Sequence, residues 1–406
     1  MKKETTLSSG EVRAEYARHV VPSYKRPETA PVLVRGKGTR VWDAEGREYL
    51  DFGSGIAVNC LGHAHPRLAE VMKRQAEELV HVSNLFFHPK QAELAAALVR
   101  RIGPGKIFFC NSGAEANEAM VKAVRKAGST QGRHEVITTL NSFHGRTMGM
   151  IAASGQERLR EGFGPAMPGF VYVPYNDLTA LEKAIGPKTA AVMLEGIQGE
   201  GGILPAKAEY LTGLRKLTRE KGVFLILDAV QCGHYRTGRF QSYERILEEA
   251  GSTEDFLPDA ISMAKSLGGG FPMGAVWLGE TLADVLSPGT HATTYGGTAL
   301  ACAVALEILR IIEEEKLAEN IDSMGEELKK GLTKLSGKGW VGEVRGFGGM
   351  VGVTVRGKSH IEITEKLAQA GLLVVPAGSD VLRFLAPYNV TRQEITEALQ
   401  KVESTL

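Results

Sequence analysis

Short, largely apolar runs, each closed by a turn signal, recur through the middle of the chain. They cover Lys106–Cys110, Glu135–Leu140, Phe170–Val173, Thr189–Glu195, Val223–Asp228, Ala260–Ala264 and Gly274–Gly279. Most do not alternate with polar positions, which is how strands covered on both faces read. Segments with helical periodicity lie between several of them, such as Ala114–Ala127 and Ala208–Lys221. Strands alternating with helices predict an α/β fold with a mostly parallel central sheet. In such sheets ligands bind beyond the carboxyl ends of the strands.

The flanks carry a different pattern. Val32–Phe52 reads as a short β-meander turning at Asp43-Ala-Glu-Gly46. From about residue 303 onward, long helical patterns alternate with short strands such as Met350–Val355. The pattern predicts a large domain over residues 66–302 and a smaller α+β domain made from both ends, residues 1–65 and 303–406. The first dozen residues are expected to be mobile.

A chain of 406 residues is too long for one small core, in keeping with that division. Its 43% hydrophobic and 23% charged residues describe an ordinary soluble globular protein. A net charge of +1 gives no pull toward nucleic acid or an anionic membrane. The start of the chain, Met1–Gly10, has no apolar h-region, and no apolar run nears the ~20 residues that span a bilayer. The expected location is the cytoplasm. Cys60, Cys110, Cys232 and Cys302 are spaced too widely for a metal site and read as buried thiols. His63, His65 and His144 lack ligand spacing, so no metal is expected.

Candidate chemistry clusters at the strand ends. Lys265 closes the run Ala260–Ala264 and precedes Gly268, Gly269 and Gly270. An apolar strand desolvates an ammonium and lowers its pKa, as an imine-forming lysine needs. Asp228 closes Val223–Asp228 in the same manner. A lysine and an aspartate so placed are the two protein groups that pyridoxal phosphate chemistry requires. Each also fits a bland reading, a solvated strand end or a turn cap.

Three further motifs follow strands. Ser112 and Glu115 form an S-x-x-E pattern that starts a helix, where free N–H groups and a hydroxyl either cap the helix or cradle a phosphate. In Asn141–Thr147, Phe143 offers a ring to stack and Arg146 a clamp for a carboxylate, or else core packing and a surface ion pair. Glu195 and Glu200 flank a glycine-rich turn and fit an acid/base pair without local proof.

Taken together, the motifs resemble the class III (ornithine-type) aminotransferases, which are fold-type-I pyridoxal phosphate enzymes. The resemblance spans about Val32 to Pro387 and rests on Gly55–Pro66, Val82-Ser-Asn84, Phe108–Asn117 and Ser142–Thr147. Within the family the motifs look most like the acetylornithine-using subgroup. The resemblance implies that Lys265 holds pyridoxal phosphate covalently and shuttles the substrate proton. Asp228 would face the pyridine nitrogen, Gln231 the ring oxygen, and Phe143 the ring face. Ser112, Gly113 and Ala114 would hold the phosphate, joined by Thr294 from a neighbouring subunit, which implies a homodimer. Arg383 would bind the α-carboxylate of 2-oxoglutarate or glutamate, and Arg146 the distal carboxylate. Glu200 would mask Arg383 while a donor with a plain terminal amine reacts.

The implied reaction moves the δ-amino group of N2-acetylornithine to 2-oxoglutarate. Free ornithine, succinylornithine, succinyldiaminopimelate and 4-aminobutyrate are alternative donors. Ornithine users are expected to carry a tyrosine near Gly55, which favours an acylated donor here. An aminomutase or racemase on the same scaffold is the alternative from another class. Four residues depart from the family pattern: Ala229 for glutamate, Tyr235 for glycine, Gly196 for proline and Thr298 for asparagine.

Overall fold

The computed structural model describes residues 7–406. Residues 1–6 lie outside it, and with them half of the dozen residues expected to be mobile. The remainder of that dozen departs from the expectation. A helix runs over Ser9–His19, opened by a capping box in which Ser8 and Glu11 satisfy each other's end groups.

A meander comes first: β1 (Leu33–Lys37), β2 (Arg40–Asp43) and β3 (Glu48–Asp51). It turns where expected, with the Asp43 carboxylate accepting from the Arg47 N–H at 2.8 Å. The central strands follow as β4 (Gly105–Cys110), β5 (Glu135–Thr139), β6 (Phe170–Val173), β7 (Thr189–Glu195), β8 (Phe224–Asp228), β9 (Ala260–Met263) and β10 (Gly274–Gly279). They form one seven-stranded sheet in the order β4-β10-β9-β8-β7-β5-β6. Six strands share one direction, and β10 alone runs against both of its neighbours. Near the C-terminus, β11 (Val341–Phe347), β12 (Met350–Val355), β13 (Val375–Ala377) and β14 (Val381–Phe384) make a sheet ordered β11-β12-β14-β13.

The unbroken apolar runs are explained by where alternate residues go. In β8, Leu225 and Leu227 enter one core cluster, while Ile226 enters another with Met120 and Val124 of the helix Gly113–Gly128. In β7, Val192 and Leu194 join the first cluster and Ala191 and Met193 the second. Helices cover both faces, so neither set of positions can be polar.

A third cluster joins the two ends of the chain. Leu50, Phe52 and Leu61 pack with Val304, Ile308, Leu328, Val353 and Phe384. The short strand Leu372–Leu373 also adds to β3 in parallel, tying the C-terminal part to the meander. All four cysteines are buried free thiols. No helix is long and apolar enough to cross a membrane among the described residues.

Candidate active site

The parallel strands end on one edge of the sheet, and the candidate residues gather there. A cleft of about 400 Å³ is lined by Ser112, Gly113, Ala114, Phe143, Arg146, Glu200, Asp228, Gln231 and Lys265, with Asn117, His144 and Glu195 beside them. Of the eleven residues proposed from the sequence as cofactor or substrate ligands, nine line the cleft, and Arg383 and Thr294 do not. Arg383 lies behind the cleft wall and reaches it through Glu200 and Gln231. Thr294 is the exception, exposed and lining a separate groove with Leu85 and Phe87.

Lys265 follows β9 after one residue, in the left-handed region at φ 47. A non-glycine residue there is strained. The turn is held by the N–H groups of Gly268 and Gly269, which donate to the Lys265 carbonyl at 3.0 and 3.1 Å. Desolvation, reinforced by the Arg383 charge, lowers the Lys265 amine to about 8, against the pull of Glu200, Asp228 and Glu195.

Asp228 ends β8 and is buried. Its Oδ2 accepts from Asn117 Nδ2 at 2.7 Å and sits 2.8 Å from His144 Nδ1. Its Oδ1 accepts only the Val230 N–H, at 3.0 Å, among the described residues. The turn-capping role and a role in the cleft therefore coexist on one carboxylate, because its second oxygen keeps lone-pair capacity to spare. Asn117 also donates to the His144 carbonyl at 2.8 Å, locking the pair that orients Asp228.

The helix Gly113–Gly128 starts as the S-x-x-E pattern predicts, with Ser112 Oγ accepting from the Glu115 N–H at 3.2 Å. The reciprocal half of the box differs. The Glu115 carboxylate takes the Asn111 side-chain amide at 3.0 Å, and the Asn111 N–H, instead of the cap residue's own N–H. The Gly113 and Ala114 N–H groups belong to the first turn and have no partner within the helix. A Cβ on Gly113 would lie 2.6 Å from Val230, so glycine is what lets the helix start approach the β8 turn.

Glu195 ends β7 directly beside Asp228, its register partner in β8. Its oxygens accept the Phe143 N–H at 3.2 Å and the Gly199 N–H at 3.3 Å. Burial and the Asp228 charge hold it well above the usual carboxylate range, opposed by those two N–H bonds and by Lys265. Glu195 and Glu200 therefore do not form the acid/base pair considered from the sequence. Glu200 Oε1 lies 2.8 Å from Arg383 Nη1, whereas Glu195 ties together the loops that carry Phe143 and Glu200. Arg146 is exposed at the mouth, its guanidinium 5.5 Å from the Phe143 ring centre.

The three histidines stay apart: His63 pairs with Asp51 at 2.7 Å, His65 is 4.0 Å from Glu315, and His144 meets Asp228. No group of three metal-ligating side chains occurs among the described residues. Sequence reasoning missed the role of Asn117 and His144 around Asp228. Their only signal was membership of the motifs that supply Ser112 and Phe143.

Three of the four departures from the family pattern have local explanations, and nothing in the structure explains Ala229. Ser242 Oγ would lie 2.3 Å from a Cβ at Gly196, so a proline has no room there. Thr298 caps the helix Ala299–Glu314, its Oγ1 accepting the Ala301 N–H at 3.3 Å, as an asparagine would. Tyr235 adopts a left-handed φ of 67, and its ring packs 5.2 Å from Phe240 while its hydroxyl accepts from Arg101 Nε at 3.3 Å. Ala229 is buried, with its N–H on the Ser262 carbonyl at 3.0 Å.

These residues fit pyridoxal phosphate. The spare Oδ1 of Asp228 suits a protonated ring nitrogen, and the open helix start with Ser112 suits a phosphate.

The family model for aminotransferase class-III matches residues 23–406. An acetylornithine aminotransferase from Caldanaerobacter subterraneus is 47% identical over 379 residues, covering 92% of this chain and 94% of the relative. Among solved structures, an N-acetylornithine aminotransferase from Stenotrophomonas maltophilia superposes with a TM-score of 0.81 at 36% identity, covering 97% of each chain. An ornithine aminotransferase from Toxoplasma gondii, described with partial occupancy of PLP at its active site, gives 0.91 at 34% identity, covering 98% of this chain and 94% of that one. By sequence, fold and cleft, the chain belongs to the class-III aminotransferases.

Proposed function

We propose that the protein transfers the δ-amino group of N2-acetylornithine to 2-oxoglutarate, giving N-acetylglutamate 5-semialdehyde and glutamate for arginine biosynthesis. The observation that carries this reading is the Arg383–Glu200 pair at 2.8 Å, in the same site as Lys265 and Asp228. A buried guanidinium needs a counter-charge, and one that can withdraw lets a single site take both a plain amine and a carboxylate.

Pyridoxal phosphate, when bound, supplies an electron sink conjugated to the substrate's reacting carbon. Lys265 would hold the cofactor covalently, and its Nζ, once released as a free amine, would take up and return the proton at the substrate's reacting carbon. An amine lowered to about 8 gives up its proton far more readily than an ordinary lysine, so a working fraction is free base near neutral pH. Asp228, held in place by Asn117 and His144, would keep the ring nitrogen protonated. Phe143 would stack on the ring, Gln231 would reach its oxygen, and Ser112, Gly113 and Ala114 would hold the phosphate. Arg146 holds the acetylornithine carboxylate at the mouth. Glu200 masks Arg383 in that half-reaction and swings to its partly exposed side when 2-oxoglutarate arrives.

The same reading assigns Thr294 to the phosphate site of a second copy of the chain. The groove around it exposes Leu85 (87%) and Phe87 (106%), apolar surface that a partner subunit would cover. The active unit is then a homodimer working in the cytoplasm. Residues 1–65 and 303–406 act as one small domain against the large domain 66–302, supported by the core that Leu50 and Phe52 share with Val304 and Phe384.

Omission of 2-oxoglutarate tests the reaction class. Glutamate formation should stop without the acceptor. Continued conversion of the amino acid would instead indicate an aminomutase or racemase, which needs no acceptor.

A further inference from the structure

Gln231 stands between the cofactor side of the cleft and Arg383. Its Oε1 lies 3.1 Å from Arg383 Nη1, the same nitrogen that Glu200 reaches at 2.8 Å. A guanidinium has only donors, so the amide must present its oxygen there and turn its NH2 away. That Nε2 has no protein acceptor among the described residues, and Gln231 lines the cleft with Lys265 and Asp228.

Two further contacts define the arrangement. Arg383 Nη2 donates to the Pro376 carbonyl at 3.0 Å, which fixes the guanidinium plane without neutralising it. A Cβ at Gly199 would lie 2.2 Å from Gln231 Oε1 and 2.5 Å from its Cδ. Gly199 is not among the glycines with left-handed φ. What it provides is room for the amide.

The two partners of Arg383 also differ in freedom and charge. Glu200 keeps 26% of its side chain exposed and sits in a turn with Gly199, Gly201 and Gly202, so it can leave for water. Gln231 is buried, and it carries no net charge.

We propose that Gln231 determines specificity for the dicarboxylate acceptor, as the neutral partner that stays on Arg383 when Glu200 withdraws. The inference rests on the reading that Arg383 receives a substrate carboxylate. An amide oxygen keeps the guanidinium oriented and its donor satisfied while leaving the positive charge for the incoming carboxylate. A carboxylate at position 231 would neutralise Arg383 permanently. An apolar side chain would leave the donor without a partner.

The test titrates glutarate, an inert dicarboxylate, into cofactor-loaded enzyme by calorimetry and measures kcat/KM for each substrate. Gln231→Glu should weaken glutarate by about tenfold or more. Loss of the amide facing the cofactor lowers kcat/KM for both substrates alike, so the reading is a further loss of about tenfold for 2-oxoglutarate alone, because Glu200 still covers Arg383 in the donor half-reaction. A role at the cofactor or in the fold only would lower both equally. Gly199→Ala keeps every polar group and the backbone N–H, and should weaken glutarate by about threefold or more by displacing the amide. It carries the test if Gln231→Glu does not load cofactor. Arg383→Gln separates the two ideas. If it loses glutarate while Gln231→Glu and Gly199→Ala bind as the parent does, the role of Gln231 is overturned and that of Arg383 stands. If Arg383→Gln also binds glutarate as the parent does, the Arg383 reading itself fails.

Discussion

Arg383 and Glu200 meet at 2.8 Å, with the arginine side chain 1% exposed and the glutamate 26% exposed. The asymmetry decides which partner can move. Replacing Glu200 with glutamine should leave acceptor binding intact and slow the donor half-reaction by roughly 10–100-fold, since Arg383 then lacks its counter-charge. Arg383→Ala should cost roughly 3–5 kcal/mol of acceptor binding. Single-turnover measurements of the two half-reactions check both. An unchanged KM for 2-oxoglutarate in Arg383→Ala would show that another group binds the carboxylate.

Lys265 predicts a pH-dependent stability in the cofactor-free protein. Its amine is lowered to about 8 in the fold from an ordinary 10.5. Between those values the unfolded chain binds a proton that the folded chain does not, so stability rises with pH across that window. Below it, the fold bears the full cost of a desolvated ammonium. Lys265→Met should therefore be more stable than the parent at pH 7, and the gap should close toward pH 10. Urea midpoints at both pH values test this, and a gap that does not change would refute the lowered pKa. The same variant should have no turnover.

Asp228→Asn should lower kcat by about 10²–10³-fold, the scale of losing one preorganised charge. Substrate KM should change little, because the residues that bind carboxylates are untouched. A kcat within about threefold of the parent would remove Asp228 from its assigned role.

Gly196→Ala should destabilise the fold by about 1–3 kcal/mol, because Ser242 Oγ stands 2.3 Å from the added Cβ. Ser242→Ala in the same chain should recover part of that loss. Denaturant unfolding of the two single variants and the double variant reads the coupling, and strict additivity would contradict it.

The central sheet was legible because its strands are covered on both faces. The runs Phe170–Val173, Thr189–Glu195 and Gly274–Gly279 match the observed strands end for end. The reversed direction of β10 was not legible, since an apolar run reads the same both ways. Lys265, Asp228 and Ser112 were legible because each sits at a strand end beside a turn signal. The partners that orient Asp228 come from segments 84 and 111 residues away in sequence, a closeness that no local pattern encodes. Glu195 misled for a related reason. It lies five positions before Glu200 in a glycine-rich stretch, yet β7 buries it against Asp228 while the turn carries Glu200 to Arg383.

The most direct test of the whole account is kcat/KM for a panel of amino donors with 2-oxoglutarate as acceptor. N2-acetylornithine should give the highest value, above free ornithine, succinylornithine and 4-aminobutyrate. A higher value for free ornithine would contradict it.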